Sequence, residues 1–203
     1  QDGELIYTEL RFRNKTTKPL ITYPGNIGIA FPLQDRYDDS KTCIETRCHA
    51  HIFCGDNCSY IMALRMGGEA PHLGMVLTEG SLASYSIERN LRSQSNDRGC
   101  FWLHPSAMEF EAGEEKVISW TIFPHGGKED FFEKIGTYSN YISVEAEWYV
   151  LFPGETCNIR IRQSFEAKEV SVNGERVQLT ENGNYYRYIA SGYGDKRFIV
   201  SVD

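Results

Sequence analysis

The sequence predicts an all-β protein built from sandwiched sheets. Three observations carry that expectation. Apolar residues recur with period two or in short runs, the pattern of half-buried strands. Clusters of Gly, Pro and Asn interrupt those runs at short intervals. Only Glu129–Ile135 (EDFFEKI) has a helical pattern, and it is about two turns long.

Taken in order, Leu5–Arg13 (LIYTELRFR) reads as a strand closed by the polar stretch Asn14–Lys18. Ile27–Phe31 follows the turn Pro24-Gly25-Asn26. Tyr60–Met66 alternates, with Tyr60, Met62, Leu64 and Met66 on one face and Arg65 on the other. Leu73–Leu77, Leu82–Ile87 and Val117–Phe123 continue the series, with turns at Glu79-Gly80-Ser81 and Ala112-Gly113-Glu114.

The spacing changes near residue 138. Tyr141–Phe152, Thr156–Gln163, Glu169–Val172, Tyr185–Ala190 and Arg197–Val202 are strand candidates separated by Gly-containing turns. Val172-Asn173-Gly174-Glu175 carries the Asn-Gly dipeptide of a two-residue hairpin. Turns this regular suggest a small immunoglobulin-like sandwich. The expected domains are therefore 1–138 and 139–203.

The chain has 203 residues, enough to bury a core without staples. Its 21 Lys+Arg against 28 Asp+Glu give a formal charge of −7, which argues against nucleic acid or an anionic membrane surface as partner. No apolar run approaches the roughly 20 residues of a membrane-spanning helix. Charged residues at 24% with 13% aromatics describe a folded chain, not a disordered one. It opens on Gln1 rather than Met, which fits a trimmed piece whose missing end could carry a targeting segment.

The densest chemical cluster is Cys48-His49-Ala50-His51-Ile52-Phe53-Cys54-Gly55-Asp56-Asn57-Cys58. Its thiols and imidazoles invite a zinc reading. On a strand, however, His49 and His51 point to one face and Cys48 and Cys54 to the other, so one tetrahedral ion cannot collect them. No metal and no cofactor are expected. His49 and His51 remain candidates to face a ligand, because imidazole both donates and accepts. The six Cys do not pair within each expected domain, since Cys157 is alone in the second. Unpaired thiols behave as small apolar residues and point toward a reducing, cytoplasmic compartment, with a secreted or cell-surface location as the alternative. Asn14-Lys15-Thr16 and Asn57-Cys58-Ser59 fit the glycosylation pattern, a short one met often by chance.

The Gly-rich connection Arg65–Gly74 lacks the following helix that a phosphate cradle needs. It reads as a hairpin, or as a loop presenting Arg65, Glu69 and His72 at a sandwich rim. Ser95–His104 sets Arg98 and other polar residues beside Trp102, the combination a sugar site uses: hydrogen bonds to hydroxyls and a ring face for stacking. A Trp in a sandwich is also a common core residue. His125 lies in a further polar loop with Glu129 and Asp130. No spacing selects two carboxylates as a glycosidase pair, and no Gly-x-Ser-x-Gly, His-Glu-x-x-His, P-loop or dinucleotide signature is present. No catalytic residues are assigned.

Several runs carry a family resemblance. Leu10–Leu20, Arg47-Cys48-His49-Ala50-His51, Ser59-Tyr60-Ile61, Leu64-Arg65-Met66-Gly67-Gly68, Pro71-His72-Leu73-Gly74, Ser95-Asn96-Asp97-Arg98-Gly99 and Trp120–His125 occur in an order that resembles the N-terminal β region of large bacterial six-hairpin glycosidase-like proteins. That resemblance implies a galactose-mutarotase-like supersandwich, here short and so partial, followed by an immunoglobulin-like module. It also implies an (α/α)-toroid outside this chain, as partner and as seat of catalysis. A partial supersandwich would leave an exposed sheet edge at the N-terminus. The leading expectation is a non-catalytic, carbohydrate-associated β module of a larger glycoside-hydrolase-like protein, acting as scaffold and lining a glycan cleft. The alternatives are a stand-alone carbohydrate-binding protein, with Trp102 or Trp120 as platform, and a mutarotase-like or lyase enzyme using His49, His51 or His72 as acid and base.

Overall fold

The computed structural model describes residues 5–87, 100–177 and 184–203. The chain forms two compact units, Gln1–Ser139 and Asn140–Asp203. Its regular secondary structure, among the described residues, is nearly all strand, with two short helices. No helix among the described residues is long and apolar enough to cross a membrane.

The first unit contains β1 (Ile6–Arg13), β2 (Leu20–Thr22), β3 (Ile29–Phe31), α1 (Ser40–Thr46), β4 (Cys48–Phe53), β5 (Tyr60–Arg65), β6 (His72–Glu79), β7 (Leu82–Ile87), β8 (Phe101–Pro105), β9 (Met108–Phe110), β10 (Glu115–His125) and α2 (Lys128–Tyr138). Five antiparallel strands form one sheet in the order β1-β10-β6-β5-β4. A second sheet has the order β3-β8-β7, and β2 pairs with β9. Strand alternation sends Ile61, Met75, Leu77, Ile118 and Trp120 from the first sheet against Phe31, Leu82, Phe101 and Leu103 from the second. The two inner faces thus close one apolar core, which defines a β-sandwich. Among the described residues, strand β1 lies at the sheet edge and pairs on one side only, with β10.

The second unit contains β11 (Ile142–Ala146), β12 (Thr156–Gln163), β13 (Val170–Val172), β14 (Glu175–Arg176), β15 (Asn184–Ile189) and β16 (Val200–Val202). They form two three-stranded sheets, β11-β12-β15 and β14-β13-β16. Cys157, Ile159 and Ile161 pack against Val170, Val172 and Val177 in the core of this unit. The Asn-Gly hairpin forms as its sequence predicts: Asn173 and Gly174 both have positive φ (52° and 81°), and Val172 pairs with Glu175.

Some elements differ from the sequence reading. Helix α1 has no counterpart in it. Asp39 caps this helix, its carboxylate accepting from the backbone N–H of Lys41 and Thr42, but the helix buries no residue and so shows no apolar stripe. Strand β10 runs two residues past Phe123, through Pro124, and β11 stops at Ala146 instead of continuing to Phe152.

Candidate functional site

The outer face of the five-stranded sheet collects most of the histidines. On β4, Ala50 and Ile52 turn into the core, so His49 and His51 face outward. Register extends the same face across the sheet. His51 sits opposite Met62, Met62 opposite Gly74, and Gly74 opposite Phe123. His49 sits opposite Leu64, and His72 opposite His125. With strands roughly 4.8 Å apart, two steps from β4 to β6 put His49 about 10 Å from His72.

Helix α2 covers part of this face. Phe131 stacks on Phe123 with ring centroids 5.7 Å apart, and Phe131 and Phe132 both meet Tyr60 edge-on. The helix therefore buries the β10–β6 end. His72 is 7% exposed and His125 2%. The rim loop expected to present His72 does not do so: the Arg65 backbone N–H donates to His72 Nδ1 at 3.1 Å, which fixes the proton on Nε2. His125 Nδ1 lies 2.9 Å from the Gly127 carbonyl. Burial pushes the His125 imidazole below its usual value, against the pull of the Gly127 and Leu73 carbonyls and of Asp130, and with the help of neighbouring His72.

The β4 edge of the same face is open. Tyr37 packs on His49 with ring centroids 6.1 Å apart, and exposed Phe53 packs on Tyr60 at 5.4 Å. Tyr37, His49, His51 and Phe53 thus form an accessible row of aromatic and imidazole rings. Such a row offers ring faces for stacking and ring nitrogens for hydrogen bonds. Arg65 and Glu69 are exposed at and beyond the end of β5.

Trp102 lies elsewhere, on the outer face of the three-stranded sheet, since its neighbours Phe101 and Leu103 fill the core. It is half-buried, with the Gly28 backbone over it: a Cβ added there would sit 3.0 Å from Trp102 Cε3. His104, which the sequence did not single out, shares this face. Its Nδ1 is 3.1 Å from the Ile27 carbonyl and its Nε2 2.8 Å from Ser86 Oγ. The carbonyl only accepts, so Nδ1 donates and Nε2 accepts from the serine. Trp120, the other platform candidate, is a core residue, 6% exposed and edge-on to Phe31, and cannot present a ring face to a sugar. Arg98 falls outside the described residues.

Among the described residues, no three His, Cys, Asp or Glu side chains converge as a metal-binding group. All six Cys are unpaired. Of the two glycosylation patterns, Asn14 is buried and its side-chain amide donates to the Lys18 and Glu111 carbonyls, whereas Asn57 is exposed.

The fold and this face describe an all-β sandwich module with ring-lined surfaces. No protein-family model matches the chain, and no curated protein matches it. Among solved structures, a polysaccharide lyase matches over 98% of this chain with a TM-score of 0.84 and 30% sequence identity. The chain spans 30% of the length of that lyase chain.

Proposed function

We propose that this chain is a carbohydrate-associated β module of a larger polysaccharide-degrading protein, non-catalytic by itself, serving as scaffold and lining a glycan cleft. The observation that carries the reading is the likeness to a polysaccharide lyase along nearly the whole chain but only 30% of the lyase. A match of that kind fits a module whose catalytic partner lies in the remainder. In this reading the domains are 1–138, a partial galactose-mutarotase-like supersandwich, and 139–203, an immunoglobulin-like sandwich. The partner is an (α/α)-toroid outside this chain, or the glycan itself.

His49 and His51 face the glycan, with Arg65 and Glu69 supplying charged contacts from the β5–β6 connection. Trp102 is the ring contact of the second sheet, and Arg98 is assigned to the glycan on sequence alone. His72 and His125 are too buried to touch a sugar and hold the sheet face in place. A second reading keeps the enzyme within this chain: an elimination needs a base near an acidic C–H, and His49 or His51 is accessible enough to serve.

The two readings separate in one experiment. The purified chain is offered uronate-containing polysaccharides, with binding followed by affinity electrophoresis and elimination by the ultraviolet absorbance of unsaturated sugar ends. Retardation without new absorbance, weakened in His49→Ala and His51→Ala, is expected. Turnover by this chain that His51→Ala abolishes would overturn the non-catalytic reading.

A further inference from the structure

The second unit contains a cavity of about 720 Å³ at one end of its sandwich, and none of the glycan-facing residues assigned above lines it. Its wall is aromatic: Trp148 and Tyr149 from the β11–β12 connection, Tyr188 from β15, and Tyr193 and Phe198 from the β15–β16 connection. We propose that this cavity is a second binding site, for a short oligosaccharide, built into residues 140–203. The ligand class rests on the carbohydrate reading above; the site itself does not use its residues.

Four observations carry the proposal. First, the volume lies within the roughly 300–1,000 Å³ of small-molecule sites. Second, the rings are presented, not packed away. Trp148 is 64% exposed, Tyr149 84% and Tyr193 82%. Aromatic faces left in water attract the C–H faces of pyranose rings, which shed water against them while the sugar hydroxyls stay solvated. Third, the Tyr188 hydroxyl is buried at this wall without a hydrogen-bond partner among the described residues. A buried hydroxyl left unpaired costs free energy, and a ligand hydroxyl would pair it. Fourth, Asp195 and Lys196 both line the cavity, so an acceptor for sugar hydroxyls and a cation for a uronate carboxylate are at hand.

The presenting loops are held before any ligand arrives. The Glu147 carboxylate accepts from both the backbone N–H and the side-chain amide of Asn158 at 3.0 Å. Gly154 N–H donates to the Ala190 carbonyl and Ala190 N–H to the Glu155 carbonyl. Tyr193 stands between Gly192 and Gly194, whose φ of 153° and 97° let the chain turn sharply on either side of the ring. A ligand meeting this wall therefore orders little of the backbone on binding.

The test uses the whole chain and a glycan array of neutral and uronate-containing oligosaccharides, followed by titration of the best binder with tryptophan fluorescence and calorimetry. Binding is expected to weaken by about tenfold in Trp148→Ala and again in Tyr193→Ala, the size of one lost ring contact. Trp148→Phe keeps a ring and should retain binding while losing the fluorescence change. His51→Ala should leave the Trp148-dependent fluorescence change intact even as it weakens binding at the face of the first unit. Absence of binding to any array member overturns the site. So does binding that survives the Trp148→Ala, Tyr193→Ala double variant but is lost in His51→Ala, an outcome that leaves the carbohydrate-module reading standing. Sedimentation supplies the last arm: self-association abolished by Trp148→Ala would assign the rings to an interface between copies and overturn the glycan site.

Discussion

His72 and His125 oppose one another across strands β6 and β10, their ring centroids 5.4 Å apart beneath helix α2. Two imidazolium ions in that space would repel each other with little water to screen them. Burial already lowers the His125 value, aided by His72 and resisted by the carbonyls of Gly127 and Leu73 and by the Asp130 carboxylate. Asp130 is in turn tied to the Gly126 N–H and to Lys134. The linkage sign follows. An unfolded histidine takes up its proton near pH 6.5, whereas the folded one resists until lower pH, so the unfolded state binds more protons in between. Stability contributed by neutral His125 is full above about pH 6.5 and is lost as the pH falls below it. Urea midpoints should therefore drop between pH 7 and pH 5, and His125→Gln should flatten that slope. An unchanged slope in the variant would remove His125 as the cause.

Gly74 should not tolerate a methyl group. A Cβ there would lie 2.6 Å from the Phe123 ring and 3.0 Å from the Phe131 ring. Both phenylalanines are fully buried, and neither ring is the free end of a flexible chain. Overpacking of this kind costs about 1–3 kcal/mol, and Gly74→Ala is expected in that range by chemical denaturation. The same change at Gly113 meets nothing within 4 Å and is strained only by the turn's positive φ of 80°, a strain that Gly74 does not carry, so the two variants separate steric overlap from backbone strain.

The cysteines of β4 and its exit should be slow nucleophiles. Burial pushes the Cys48 thiol up to about 11, with the Asp35 carboxylate adding to it, and burial alone does the same for Cys54. The reacting species is the thiolate, which is scarce at neutral pH for such groups. Alkylation of the native protein, read by peptide mass spectrometry, should leave Cys48 and Cys54 largely unmodified at pH 7 and accelerate steeply toward pH 10. Rapid labelling of either at pH 7 would contradict the burial that the structure assigns them.

What the sequence disclosed was local. Alternation placed His49 and His51 on one face of β4 and Cys48 and Cys54 on the other, and Asn173-Gly174 announced its hairpin; in the fold Ala50, Ile52 and Cys54 do pack on the core. The meeting of β4, β5, β6 and β10 was not legible, because their order depends on pairings up to tens of residues apart and no short pattern encodes it. His72 and His125 become neighbours only through that order. Pro124 ended the reading of β10 early, since a proline within a run normally marks an edge or an end, yet here it sits opposite Leu73 inside the paired strand. Helix α1 went unread, because a helix with no buried side chain has no apolar stripe to detect. The exposed aromatics of residues 148–152 extended the apparent strand β11 for the opposite reason: they carry the composition of a strand while lying in a connection.

Asn14 looks like a glycosylation site in sequence and is a structural amide in the fold. It is 2% exposed. Its Nδ2 donates to the Lys18 carbonyl at 2.8 Å and the Glu111 carbonyl at 3.0 Å, and its Oδ1 accepts from the Thr16 N–H at 2.9 Å. One side chain thereby ties the end of β1 to the segment following β9. Asn14→Ala leaves those backbone groups unpaired in a buried place, at a cost of about 1–3 kcal/mol. Asn14→Asp keeps the size but turns a carboxylate oxygen toward two carbonyl oxygens, so it should destabilise more than alanine does near neutral pH and recover in part as acid protonates it. Urea denaturation of the two variants at pH 7 and pH 4 measures the difference, and an aspartate variant as stable as the parent would show that the amide's donors are not needed. The same geometry forbids a glycan on the folded chain at Asn14. Peptide mapping after expression in a glycosylating host should find this asparagine bare whenever the protein is folded.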